Sequence, residues 1–278
     1  MRSWTLNNRG LALRALELSE GDGEPIVCLH GWLDQGAAWV SVAQGQPGRW
    51  VALDQRGHGG SAHVGAGGYY HFPDYLADLD ALVRHLGGPV RLVGHSMGGT
   101  VASMYAGARP DQVSALVCVE GLGALEVSDP SMLSRTREHL SGLAAPPTPI
   151  RVRDLDAAAE RLMKRHEGLG AAHARLLAEH GTVADGAGLR WAFDPLHMTR
   201  APYPFREDAF AEFLGAITAP TLLIWGEESW YPAPLRARRA ACVQGARQVV
   251  LPGGHMLPYT AGPALGAAIT AFLADQAR

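Results

Sequence analysis

The sequence predicts an α/β fold: a mostly parallel, doubly wound sheet with an inserted helical cap. Three observations carry this. Short unbroken apolar runs, of the kind buried parallel strands show, recur at 25–29, 50–53, 90–93, 113–119, 220–225 and 247–251. Segments with helical spacing alternate with them. The rhythm stops at about residue 128 and resumes after about 212, so the segment between reads as an insert. A dinucleotide-binding domain would need G-x-G-x-x-G opening a helix after the first buried strand, and none is there.

In chain order, residues 3–7 and 11–18 alternate apolar and polar positions around Asn8, Arg9 and Gly10, which predicts an antiparallel hairpin with one solvated face. Gly21, Asp22 and Gly23 end it. The run PIVCL (25–29) is a buried strand leading to His30, Gly31 and Trp32, and a helix carrying Ala37, Trp39, Val40 and Ala43 follows. Trp50–Leu53 is a second buried strand, opening into DQRGHGGS (54–61). Leu76, Leu79, Leu82, Val83 and Leu86 share one face of a helix over 73–86, which Gly87, Gly88 and Pro89 stop. Next come the strand at 90–93, GHSMGG (94–99), a helix to Arg109, and the strand VSALVCV (113–119).

From 128 to 212 the text is charged and rich in Ala and Arg, with helices over 155–167 and 171–180 and with breaks at Pro146, Pro147, Pro149, Pro195, Pro202 and Pro204. No parallel-type strand is expected there. PTLLIW (220–225), a helix over 235–243, RQVVL (247–251), the triplet Gly253-Gly254-His255 and a helix over 263–274 complete the core. The expected division is core 1–127, cap 128–212 and core 213–278.

Composition bounds the partners. With 278 residues, 47% hydrophobic and 18% charged, and a net charge of −3, the chain has no basic patch to suggest nucleic acid or a membrane surface. Three cysteines without motif spacing imply neither disulfides nor zinc, and no cofactor is called for. The first residues lack a signal-peptide core and no run of 18 apolar residues occurs, so a cytoplasmic protein, monomer or homodimer, is expected.

The chemistry centres on Gly94-His95-Ser96-Met97-Gly98, a G-x-S-x-G between a strand and a helix. That order forces a serine into a sharp turn at a helix head, and the glycines let the helix pack close. The motif alone has a high false-positive risk, so its companions matter. Together with HGW (30–32), DQRGHGGS (54–61), LLIWGEES (222–229), GGH (253–255) and FDP (193–195), it resembles the α/β hydrolases, within them the serine-hydrolase-like branch of capped esterases. The resemblance implies an ester hydrolase working through an acyl-enzyme, with Ser96 as nucleophile and His255 as base. It places the oxyanion hole on the backbone N–H groups of Trp32 and Met97. Thioesters, lactones and activated C–C bonds share that tetrahedral intermediate, and a faded ligand-binding member of the same fold is the rival reading.

The acid departs from the family pattern. Where relatives have an aspartate in G-x-x-D, this chain has Ser229. Either Glu227 or Glu228 reaches across, or the acid is Glu120, which ends the strand VSALVCV. Glu120 is favoured, because a carboxylate at a buried strand end has no other obvious partner, and some relatives take a glutamate from this strand end. By resemblance, His30, His58 and His95 brace loops, as do Asp54 and Arg56. The expected pocket residues are Trp32, Trp191, Phe193, Trp230 and Tyr231. The insert shows few charged anchors in obvious pairs, so a small, mostly apolar ester substrate is expected.

Overall fold

In the computed structural model, which describes residues 1–125 and 131–276, the alternating residues of the first hairpin become one edge of a sheet. The strands β1 (Arg2–Asn8) and β2 (Leu11–Glu17) pair antiparallel with Leu6 opposite Leu13, and Arg9 and Gly10 turn the chain at φ of 55° and 87°. There follow β3 (Ile26–Leu29), α1 (Val40–Ala43), β4 (Trp50–Leu53), α2 (Phe72–Leu86), β5 (Val90–His95), α3 (Met97–Ala108) and β6 (Val113–Val119). The inserted segment holds α4 (Met132–Ala144), β7 (Arg151–Val152), α5 (Leu155–Arg165), α6 (Ala171–Gly181), β8 (Thr182–Asp185) and β9 (Gly188–Trp191). The core resumes through α7 (Glu207–Gly215), β10 (Thr221–Glu228), α8 (Ala233–Ala240), β11 (Arg247–Gly254), α9 (Leu257–Thr260) and α10 (Gly262–Asp275).

The large sheet has eight strands in the order β1-β2-β4-β3-β5-β6-β10-β11. The first two are antiparallel to their neighbours and every later pairing is parallel. Successive side chains of a strand point to opposite faces, and here both faces are dry. Val27 and Leu29 pack with Leu79 and Leu82 of α2, Tyr105 of α3 and Leu214 of α7, while Ile26 and Cys28 pack with Trp39 and with Ile269 of α10. That is the doubly wound arrangement the unbroken apolar runs call for. With its parallel strands running the same way, the sheet gathers their C-terminal ends at one edge.

The insert is not purely helical. Strands β7, β9 and β8 form a three-stranded antiparallel sheet, with a two-residue turn between Asp185 and Gly188. Gly186 sits there at φ 62°, the backbone region a tight hairpin turn reserves for glycine. The expected boundary at 127/128 lies outside the described residues. The one at 212/213 falls inside α7, whose Phe210 and Leu214 belong to the core. Ala38 and Tyr259 of the core join Ala158, Ala174 and Leu177 of the insert in one apolar cluster. A polar clasp adds to it, in which the Asp194 N–H donates to Gly57 O at 2.7 Å and the Tyr70 hydroxyl to Asp194 Oδ2 at 2.7 Å.

Candidate active site

Ser96 stands between β5 and α3 at φ 52°, ψ −116°, a conformation few non-glycine residues adopt. Its neighbours make the turn possible by having no Cβ. One on Gly98 would lie 2.3 Å from Leu29 O, and one on Gly121 would lie 2.3 Å from Ser96 O. The Ser96 N–H is fixed by Val119 O at 3.0 Å, which ties the turn to the end of β6.

The residue after β6 is Glu120, buried and also held at positive φ, 47°. Its Oε1 accepts the Gly226 N–H at 2.7 Å, and its Oε2 accepts the Ser229 hydroxyl at 3.0 Å and faces His255 Nδ1 at 3.2 Å. His255 Nε2 lies 3.0 Å from Ser96 Oγ. One tautomer satisfies both contacts: Nδ1–H donates to the carboxylate, leaving the Nε2 lone pair to accept from the serine hydroxyl. The structure thus brings together Ser96, His255 and Glu120, whereas Glu227 and Glu228 are exposed at the end of β10. Ser229, at the position where the resemblance leads one to expect aspartate, donates to Glu120 instead.

A second tier of histidines fixes the loops. His95 Nε2–H donates to His255 O at 2.8 Å, coupling the elbow to the loop of the base. His30 Nε2 accepts the Gln55 N–H at 3.0 Å, and His58 Nε2 accepts the Leu33 N–H at 3.2 Å. Burial pushes His95 down to about 3 and His30 down to about 4 and lowers His58 as well, so all three are neutral and can accept as well as donate. Asp54 Oδ1 takes the Gly36 N–H at 2.7 Å, and Arg56 forks onto Asp78 at 2.6 and 2.8 Å. These two tie loops to the core.

Beside the relay a cleft of about 150 Å³ opens between the loop after β3 and the insert. Its apolar wall is Trp32, Ile150, Leu162, Trp191, Phe193 and Met256, and its polar wall is Asp34, Arg161, Arg165, His166 and Tyr259. Three of the expected pocket residues, Trp32, Trp191 and Phe193, line it. Trp230 is exposed and its ring lies 4.0 Å from that of His255, at the mouth of the relay. Tyr231 is not a pocket residue: it is buried, its ring packs on Trp225 at 5.5 Å and its hydroxyl donates to Gly123 O at 2.5 Å, which makes it a strut under the loop after Glu120.

The fold agrees with what known proteins show. A family model described as the alpha/beta hydrolase family matches residues 26–268. The chain belongs to the alpha/beta hydrolase family. Among solved structures, this α/β hydrolase is similar to the thioesterase domain from the curacin biosynthetic pathway, at 30% identity and a TM-score of 0.88, covering 97% of this chain and 99% of that one. It is 30% identical over 175 residues to human serine hydrolase-like protein 2, covering 60% of this chain and 56% of the relative. It is 31% identical over 253 residues to a non-heme haloperoxidase of Rhodococcus erythropolis, covering 84% and 85%. The match takes in 56% of the length of that human protein and 40% of the length of a serine hydrolase-like protein of Danio rerio, so the chain spans about half of these relatives.

Two features of this hydrolase were not visible in the one-dimensional pattern. The insert does carry charged pairs, Arg151 with Asp185 and Arg175 with Asp156, brought together across elements rather than along one helix. It also puts Arg161, Arg165 and His166 on the cleft. The spacing of Arg161 and Arg165 shows that they share a helix face, but only the docking of α5 on the core decides what that face meets.

Proposed function

We propose that the chain is a serine hydrolase that cleaves a carboxylic ester of a small, mostly apolar acyl group through an acyl-enzyme on Ser96. The observation that carries the reading is the unbroken relay from Ser96 Oγ through His255 to buried Glu120, at 3.0 and 3.2 Å. In the first half-reaction His255 Nε2 takes the hydroxyl proton as Ser96 Oγ attacks the carbonyl carbon. Glu120, facing Nδ1–H, stabilises the imidazolium. The backbone N–H groups of Trp32 and Met97 receive the oxyanion. Met97 is the first residue of α3, so its N–H has no carbonyl four residues back to bond and sits at the positive end of the helix dipole. His255 then protonates the departing alkoxide. In the second half-reaction it deprotonates water, which attacks the acyl carbon and releases Ser96. The apolar wall of Trp32, Ile150, Leu162, Trp191, Phe193 and Met256 suits a hydrocarbon acyl chain.

A thioester is the second reading, favoured by the likeness to a thioesterase domain along nearly the whole of both chains. It uses the same relay with a thiolate leaving group, as lactone or C–C cleavage would with other leaving groups. A fluorophosphonate probe and p-nitrophenyl esters of increasing acyl length test the main reading. Labelling and turnover are expected for the wild type and neither for Ser96→Ala. An unlabelled wild type without turnover points instead to a ligand-binding protein in which catalysis has faded.

A further inference from the structure

The insert's wall of the cleft carries three nitrogen-bearing side chains that acyl transfer does not use. Arg161 and Arg165 lie four residues apart on α5 and so leave the same face one turn apart, with His166 just beyond the helix end. All three line the cleft. Other arginines of this chain are paired at close range, among them Arg56 with Asp78, Arg151 with Asp185, Arg175 with Asp156 and Arg239 with Glu207. Among the described residues, Arg161 and Arg165 have no carboxylate within ion-pair distance. Two guanidinium groups one turn apart repel each other unless an anion lies between them.

The remaining groups on the cleft fit an anionic occupant. His166 is half-buried and stands edge-on to the Tyr259 ring at 5.0 Å. Burial and the nearby Arg165 push its pKa down to about 4, so it is neutral with an N–H to donate. Asp34 is the one carboxyl in the lining, and it is turned into the protein. Its Oδ1 takes the Tyr259 hydroxyl at 2.7 Å and the Gln35 N–H at 2.8 Å, its Oδ2 is sealed from solvent, and burial pushes its pKa up to about 7. The polar surface left facing the cleft is therefore cationic and donor-rich. The apolar wall runs beside it from Trp32, which follows the Gly31 that packs on Ser96, to Leu162 on α5 itself.

The geometry points to a substrate that carries an oxyanion group, a carboxylate, sulfate or phosphate, at the end of its acyl chain away from the scissile bond. Arg161 and Arg165 hold that group and His166 donates to it. This rests on the reading of the cleft as the acyl site of Ser96, and it narrows that reading from an apolar acyl group to an apolar chain with an anionic end. Planar carboxylates and tetrahedral sulfates share the required chemistry, two or more acceptor oxygens facing a guanidinium fork.

The test compares mono-p-nitrophenyl adipate with its methyl ester, which has the same chain without the charge. The wild type is expected to favour the anionic ester by about tenfold or more in kcat/KM, with the preference falling as salt screens the exposed arginines. Arg161→Gln/Arg165→Gln brings the ratio close to one, whereas Arg175→Gln, a paired arginine outside the cleft lining, leaves it intact. Esters ending in sulfonate and phosphonate then rank the oxyanions. A wild-type ratio near one, or a ratio that survives the double substitution, overturns the proposal. A second arm does not need turnover: calorimetric titration of Ser96→Ala with adipate and with hexanoate should show tighter binding of adipate that the two arginine substitutions remove. If the wild type is neither labelled nor active, the hydrolase reading fails, and this titration alone decides for or against the anion site.

Discussion

Glu120 shows how much rests on one side chain. It is buried, held at positive φ, and its oxygens face an N–H, a hydroxyl and an imidazole. Replacing it with glutamine puts an amide where Nδ1–H needs an acceptor and favours the tautomer that cannot take the serine's proton. Glu120→Gln is therefore expected to lower kcat on p-nitrophenyl butyrate by about 10³ to 10⁴-fold. Glu228→Gln, at an exposed position, should stay within about twofold of wild type. The 3.0 Å contact from Ser229 to Glu120 adds a sharper test, because a carboxylate at 229 starts from a backbone that already faces the base's partner. Glu120→Ala/Ser229→Asp is expected to recover at least about tenfold of the activity that Glu120→Ala loses. Equal rates for the single and double variants would show that the end of β10 cannot aim an acid at His255. Glu120 was legible because a carboxylate at the end of an apolar strand demands a partner. Tyr231 reads along the chain as a pocket residue, because nothing in its sequence neighbours shows that its hydroxyl reaches Gly123, 108 positions away.

At the scale of elements, the strands were legible and the insert was not. Runs such as VSALVCV occupy β6 residue for residue, since a parallel strand covered on both faces is apolar at nearly every position. In the insert, strands β7, β8 and β9 are two to four residues long, too short for a period to register, and only Asp185-Gly186 marks the turn. The elbow, by contrast, depends on backbone contacts that dictate glycine. A Cβ on Gly121 would lie 2.3 Å from Ser96 O and 2.5 Å from Ser96 N, so Gly121→Ala must push β5's end away from β6's end. Overpacking of this kind costs about 1–3 kcal/mol. Urea unfolding should show that loss, with kcat falling at least about tenfold because Ser96 shifts against His255. Gly170→Ala, where an added Cβ meets nothing within 4 Å, is the control expected to change neither.

For the whole molecule, the buried histidines set how the fold responds to acid. Burial holds His30 at about 4 and His95 at about 3 and lowers His58 and His197 too, against 6.5 for an exposed histidine. These groups lie in different segments, and His197, stacked on Tyr70 at 3.7 Å, ties the insert to the core, so protonation strains the assembly at several places at once. Below pH 6.5 the unfolded chain binds protons that the folded chain refuses, so stability is full above 6.5 and falls as the pH drops toward the folded values. Each such histidine contributes a slope of about 1.4 kcal/mol per pH unit in that window. Asp34 acts in the opposite sense. Its pKa is raised from 3.8 to about 7, so the folded chain binds a proton that the unfolded chain releases, and acidification between those values stabilises the fold by the same slope. One carboxyl against His30, His58, His95 and His197 leaves about three groups' worth of net loss. Unfolding free energies from urea titrations near pH 7.5, 6 and 5 should therefore decline on the acid side, by about 4 kcal/mol per pH unit from these groups. A free energy that stays level or rises between about pH 6.5 and 5 would mean that these histidines take up protons in the folded chain, and with them the neutral bracing assigned to His30, His58 and His95 would fall.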